Sequence, residues 1–334
     1  MESKRAAGRG GAAGAGPGKP AAGKKIGKEL RLVALTALLF LSEISALHAN
    51  NKHTRYDFQE LVRANPALEK HVFVSHKTKD LTVDWSDENA TLQVNRALLM
   101  SFYAVNSAYD VPPGYLVPPV PSRVDYLHII ASDILGLRTL GAAEKVKGLD
   151  VGCGANCIYS LLGASPEFSF NMVGSDVSRE ALDIARRNAD ASAFKSSIDL
   201  RFQPNPKRIF DNVVAPDESF SFVMTNPPFF ASAKAAQAAS TRKTRNLKLA
   251  PTRNFGGHSR ELWVDGGELS FVAAMIAESS EAKYRGRLGW CTSLVSDKKN
   301  VRLLQDRLPA ACRAQTHAIK TGNKEATVLA WRFD

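Results

Sequence analysis

The chain has 334 residues, 44% of them hydrophobic, and a formal net charge of +11. That length holds one large domain with an added module, or two smaller domains, with ample apolar mass for a core. Its four cysteines make no CxxC pair and no Cys/His cluster, which excludes a disulfide-held scaffold and a zinc module and reads as reduced thiols in a cytosolic protein.

Residues 1–28 carry eight Gly and seven Ala with scattered Lys and Arg and no apolar period, a composition whose default is disorder. Leu30 to Leu47 is a mostly apolar run behind Lys24, Lys25 and Lys28, superficially like a signal peptide. Its uninterrupted core from Leu32 to Leu41 is too short to span a bilayer. A targeting helix, a misplaced start codon and an ordinary amphipathic helix all fit; a cytoplasmic protein without stable membrane association is expected.

From His48 the texture becomes globular. The run from Arg55 to Val62 reads as the start of a helix that stops before Pro66. His53 and Arg55 precede it in a basic, polar lead-in that is either an RNA contact or plain surface. Five prolines between Pro112 and Pro121 make a rigid crossing, ended by Arg123 and a helix from Val124 to about Leu137.

Strand and helix then alternate. Strands are expected at Val146 to Gly152, Phe168 to Asp176, Ile198 to Phe202, Ser219 to Thr225 and Leu288 to Val295, and Ala314 to Ile319 with Ala326 to Phe333 read as a closing antiparallel pair. Helices fall between them, one of them capped by Ser178. The alternation predicts an α/β, doubly wound, seven-stranded sheet of Rossmann-like type.

The chemistry is placed at the end of the fourth of these strands, Asn226-Pro227-Pro228-Phe229. Each proline fixes its own φ and pushes the residue before it toward extended geometry, so the Asn226 side-chain oxygen and the Pro227 carbonyl converge as two acceptors. Neither proline has an N–H to compete for a guest's hydrogens. A planar exocyclic amine is the natural guest, with its ring on the face of Phe229. Directly after it, residues 231–260 hold seven Lys or Arg and no acid, among them Lys234, Arg242, Lys243, Arg245, Lys248 and Arg253. A cationic segment in that place points to a polyanion, nucleic acid above all.

In such a sheet a ligand sits beyond the carboxyl ends of the strands, near the first strand-to-helix turn. Here that turn is Asp150-Val151-Gly152-Cys153-Gly154, a GxG without the third glycine of a dinucleotide fingerprint. Asp176 follows Gly154 by 22 positions, suited to gripping ribose hydroxyls. A nucleoside cofactor without diphosphate fits, and S-adenosylmethionine is the obvious member. No metal is expected.

The run Leu149 to Tyr159, Asn226 to Phe230, Asn254-Phe255-Gly256-Gly257, Glu261-Leu262-Trp263, Gly266-Gly267-Glu268, and upstream Pro118 to His128 together resemble the bacterial large-subunit ribosomal RNA adenine-N6 methyltransferases and their eukaryotic relative, methyltransferase-like protein 16. The resemblance covers about residues 47–334 and implies a class I S-adenosylmethionine-dependent methyltransferase. It implies that the turn at Asp150, Gly152 and Gly154 holds the methionine part of the cofactor, that Arg123 lies near its carboxylate, and that Asp176 binds the ribose. Asn226 and Pro227 would hold the adenine amine with Phe229 stacked on the base. The segment 231–258 resembles the family's RNA-facing loop. The expected organisation is an extension at 1–46, an N-terminal RNA-binding module at 47–122 and a methyltransferase domain at 123–334, working as a monomer on ribosomal RNA. Methylation of another structured RNA such as a small nuclear RNA, of protein glutamine, or of DNA adenine, and a non-catalytic RNA-binding protein, are the competing readings; Phe229 in place of Tyr speaks against glutamine.

Overall fold

The computed structural model describes residues 42–43, 47–138, 140, 146–228, 230, 232, 264–321 and 324–334. Within them the central element is a seven-stranded sheet, and its inner strands are rich in Val, Leu, Phe and Met because both of their faces are covered. Its strands are β3 (Lys147–Val151), β4 (Asn171–Asp176), β5 (Ile198–Phe202), β6 (Phe220–Thr225), β7 (Leu288–Val295), β8 (Arg313–Thr321) and β9 (Lys324–Arg332). They lie in the order β8-β9-β7-β6-β3-β4-β5; the β6-β3 boundary is where the winding reverses, and only β9 runs antiparallel to its two neighbours. Two strands that precede it, β1 (Val72–Val74) and β2 (Leu81–Val83), form a separate hairpin.

Alternate side chains of each strand feed two cores. Leu149, Val173, Val223, Leu329 and Trp331 pack on one face against α6 (Gly267–Ser279) and α7 (Lys298–Gln305). Met172, Phe222, Met224 and Val328 pack on the other, with α3 (Val120–His128), α4 (Ile158–Ala164) and α5 (Arg179–Asp190). That second core also takes in Phe58 and Leu61 of α1 (Phe58–Ala64) and Leu98 and Leu99 of α2 (Glu88–Phe102), so residues 47–122 share their interior with the sheet. The face is tight: a Cβ on Gly148 would come within 2.3 Å of the Phe222 ring.

Several expectations shift in detail. The strand before Asn226 starts at Phe220 and is almost wholly covered: β6 lies between β3 and β7, and every residue but Ser221 is buried. The first helix starts at Phe58 because the Asp57 carboxylate accepts the Gln59 and Glu60 N–H groups, leaving Arg55 and Tyr56 extended. The helix after the prolines begins early, at Val120, since Pro121 is harmless in a first turn, and past His128 it widens into a π-helical segment, Ile129–Ile134. The β4 strand begins only at Asn171, after Ser169 takes a positive φ of 57°.

Residues 48–53 strap the sheet's flank to α3. The His48 N–H donates to Asp125, and Asn51 Nδ2 donates to Pro121 O at 2.9 Å and to Asp125 at 3.2 Å. His53 belongs to this strap. It is 2% exposed and its Nε2 is paired with the Tyr103 hydroxyl, so the expectation that it touches RNA is wrong. Burial, with Lys52 nearby, lowers its pKa to about 4, which keeps it neutral. Arg55, two residues on, is exposed.

Candidate active site

The carboxyl ends of β4, β3 and β6 are in register: Val151 stands opposite Ser175 on one side and Thr225 on the other. Thr225 Oγ1 donates to Val151 O at 2.8 Å, and the Gly152 and Cys153 N–H groups both donate to Ser175 O, at 2.8 and 3.0 Å. These bonds bring the glycine turn, Asp176 and Asn226 to one edge.

Gly152 has a φ of +73°, and nothing lies within 4 Å of where a Cβ would stand, so the turn borders open space. Asp176 closes one side. Its Oδ2 accepts the Gly154 N–H at 2.9 Å and its Oδ1 the Ser178 N–H at 2.8 Å, which aims the carboxylate across the turn and leaves each oxygen further acceptor capacity. Burial raises its pKa, against those bonds. The neighbouring Val177 is 51% exposed, and the Arg179 guanidinium lies 3.7 Å from the Phe202 ring, so an apolar ledge adjoins the carboxylate.

Three buried polar atoms at this edge have no hydrogen-bond partner among the described residues: Arg123 Nε, Asp150 Oδ1 and Asn226 Oδ1. Arg123, 8% exposed, is held by one bond from its guanidinium to the Tyr159 hydroxyl at 3.0 Å. Asp150, 1% exposed, receives the Ser160 hydroxyl at 3.3 Å on its other oxygen. Its burial, and to a lesser degree the charge of Asp176, raise its pKa to about 7 despite Arg123. Buried polar groups are nearly always paired, so one orphan donor and two orphan acceptors on one edge describe a ligand with an anionic or carbonyl oxygen and N–H groups to give. Pro227 is buried beside Asn226.

The structure therefore brings Arg123, Asp150, Gly152, Gly154, Asp176, Asn226, Pro227 and Pro228 to one sheet edge. Phe229 and the six cations Lys234, Arg242, Lys243, Arg245, Lys248 and Arg253 lie outside the described residues. The Val264 N–H donates to Phe230 O at 3.1 Å, which sets residue 264 beside residue 230, four positions past Asn226. Just beyond, Glu268 is 3% exposed and takes the Ser296 N–H and hydroxyl, each at 2.7 Å, fixing the start of α7. A depression of about 420 Å³ lined by Lys147, Phe220, Trp290 and Arg332 lies at the amino ends of the strands, the end away from ligand sites in open parallel sheets. Among the described residues no group of His, Cys, Asp and Glu could hold a metal ion, and no helix is long and apolar enough to cross a membrane.

A family profile described as RNA methyltransferase matches residues 42–334. The chain belongs to that family. The family member is 39% identical over 310 residues to the ribosomal RNA large subunit methyltransferase F of Bacteroides thetaiotaomicron, an alignment spanning 88% of this chain and 99% of the relative. Its fold resembles the hMettl16 catalytic domain in complex with MAT2A 3′UTR hairpin 1, with a TM-score of 0.72, 26% identity and coverage of 87% and 96%. The N-terminal domain of human METTL16 in complex with SAH superposes with a TM-score of 0.67 at 23% identity, covering 86% and 99%, and shows the same fold. The sheet is that of a class I methyltransferase, as the resemblance implied, and it is doubly wound, as the alternation of strand and helix predicted.

Beyond the residues singled out from sequence, the site rests on Tyr126, Tyr159 and Thr292, none of which had been assigned a role. All three lie in runs that carry the family resemblance, at Pro118 to His128, Leu149 to Tyr159 and Thr292 to Ser296, and helical spacing sets Tyr126 three residues from Arg123 on the same side of α3.

Proposed function

We propose that the protein transfers the methyl group of S-adenosylmethionine to the N6 amine of an adenosine in large-subunit ribosomal RNA. The observation that carries this reading is the Asn226 side-chain oxygen: a buried acceptor with no partner, followed by two prolines, one strand away from an open glycine turn. When bound, the cofactor supplies an electrophilic methyl on a sulfonium. The donor set fits it: Arg123 Nε suits its carboxylate, Asp150 Oδ1 its ammonium and Asp176 its ribose hydroxyls. Asn226 accepts a hydrogen of the adenine amine and, with the Pro227 carbonyl, draws the nitrogen toward a tetrahedral, nucleophilic form. As the nitrogen takes the methyl it becomes cationic and releases its proton to water, so no strong base is needed, and positioning contributes up to about 7–11 kcal/mol in such reactions.

The target base is unstacked into the site, at a cost of a few kcal/mol that is least for a loop nucleotide. Phe229 stacks on it, and the cations of 231–260 meet the backbone. Residues 47–122 form the RNA-facing module, with Arg55 on its surface, and the enzyme works as a cytoplasmic monomer. The name of the Bacteroides relative and the RNA-bound structural neighbour support the substrate class. Cells lacking the gene should lose one N6-methyladenosine from large-subunit ribosomal RNA and regain it on complementation; an unchanged methylation map overturns the reading.

Cofactor binding should depend on pH through Asp150. Its pKa of about 7 in the free protein lies above the ordinary carboxylate value of 3.8, so below pH 7 the carboxyl is protonated and must ionise to meet an ammonium. Affinity should rise about tenfold from pH 6 to pH 8 and level off above, whereas Asp150→Asn should be weak and flat over the same range. Calorimetry at the two pH values reads this directly.

A further inference from the structure

The strand that presents Asn226 loses its ladder just before the site. Toward β7 the parallel pairing of β6 runs from Phe220↔Leu288 to Val223↔Cys291 and stops, while toward β3 it continues to Val151↔Thr225. Over that last stretch side chains take over. Thr292 Oγ1 donates to Val223 O at 3.0 Å and accepts from the Tyr126 hydroxyl at 2.8 Å, since its single hydrogen is already given away. The Tyr126 hydroxyl also lies 3.5 Å from Thr225 O, the carbonyl immediately before Asn226. Tyr126 and Thr292 are both 0% exposed, so no water competes for these groups.

The same tyrosine belongs to the cofactor side. It sits on α3 three residues after Arg123, and its ring meets the Tyr159 ring edge-on at 5.6 Å and 88°. Tyr159 in turn receives the Arg123 guanidinium at 3.0 Å. One packed unit thus holds Arg123 through Tyr159 and the end of β6 through Tyr126.

We infer that Tyr126, acting through Thr292, is a positioning residue that sets the Asn226 amide against the donor side held by Arg123. The inference rests on the methyl-transfer reading above. Thr292 and Tyr126 touch neither base nor cofactor in this scheme; they fix the register between the two.

The test uses the full chain. Tyr126→Phe keeps the ring and removes only the hydroxyl. It should lower kcat about ten- to a hundredfold, the scale set by a misplaced reacting group, while KM for RNA and the cofactor Kd stay within about twofold. Thr292→Val should do the same, Thr292→Ser should retain near wild-type kcat, and the double variant Tyr126→Phe/Thr292→Val should be no worse than either single change. A merely structural role would lower the melting temperature and leave kcat intact well below it. Wild-type kcat in Tyr126→Phe, or losses that multiply in the double variant, would overturn the inference. If the wild-type protein methylates no RNA, the functional reading fails on its own. The tether is then judged by the Asn226 side-chain amide resonance, which must shift in Tyr126→Phe for the inference to stand.

Discussion

Replacing Asn226 with Ala should abolish methyl transfer and leave cofactor binding within about threefold of the wild type. The side-chain oxygen is buried, it has no partner among the described residues, and the cofactor-side groups Arg123, Asp150 and Asp176 do not depend on it for any bond. Removing one preorganised hydrogen-bonding group that acts on developing charge costs about 10²–10³ in kcat in comparable sites, and here that group is also the one that orients the nucleophile. The stability cost should be small or even favourable, because deletion removes an unsatisfied buried acceptor and leaves no orphan behind. Asn226→Asp discriminates further: it keeps the acceptor but places a second carboxylate on an edge that already holds Asp150 and Asp176. Single-turnover methylation of an RNA substrate, read beside calorimetric cofactor binding, checks the prediction. Full activity in Asn226→Ala would remove the amide from the mechanism.

How far the sequence spoke differs between the fold and the site. The sheet was legible because buried strands are continuous apolar runs with turn signals between them, whereas the order of those strands had to come from the structure. The boundaries were less so. Ser169 at positive φ cuts β4 short, and the start of α3 inside the proline crossing depends on Pro121 being tolerated in a first turn, which tertiary packing decided. In the site, the residues that announce themselves are those with unusual backbone demands: Gly152 and the proline-flanked Asn226. The residues that went unread are ordinary by composition. Tyr126, Tyr159 and Thr292 look like core, and are core; their roles come from where single hydroxyls point. His53 failed for the opposite reason. A histidine in a basic, polar lead-in looks like surface, but the lead-in folds back on α3 and buries it against Tyr103.

Substituting Gly152 with Ala should separate ligand binding from folding. The residue holds a φ of +73°, so any side chain costs about 1–2 kcal/mol of backbone strain. In the free protein the added methyl meets nothing within 4 Å, and no clash adds to that cost. Once the turn holds a cofactor the same methyl fills occupied space, an overpacking of about 1–3 kcal/mol, or about 10- to 100-fold in Kd. Gly148→Ala is the matched control, two strand pleats below the turn. There the new Cβ would stand 2.3 Å from the Phe222 ring and 2.8 Å from the Met172 sulfur, so the change strikes the core and leaves the edge alone. Gly148→Ala should therefore lower the melting temperature more than Gly152→Ala while keeping wild-type cofactor affinity in the fraction that folds. Thermal unfolding and calorimetry on both variants decide it: equal cofactor affinity in Gly152→Ala and wild type would mean that the open space beside this glycine is not where the methyl donor lies.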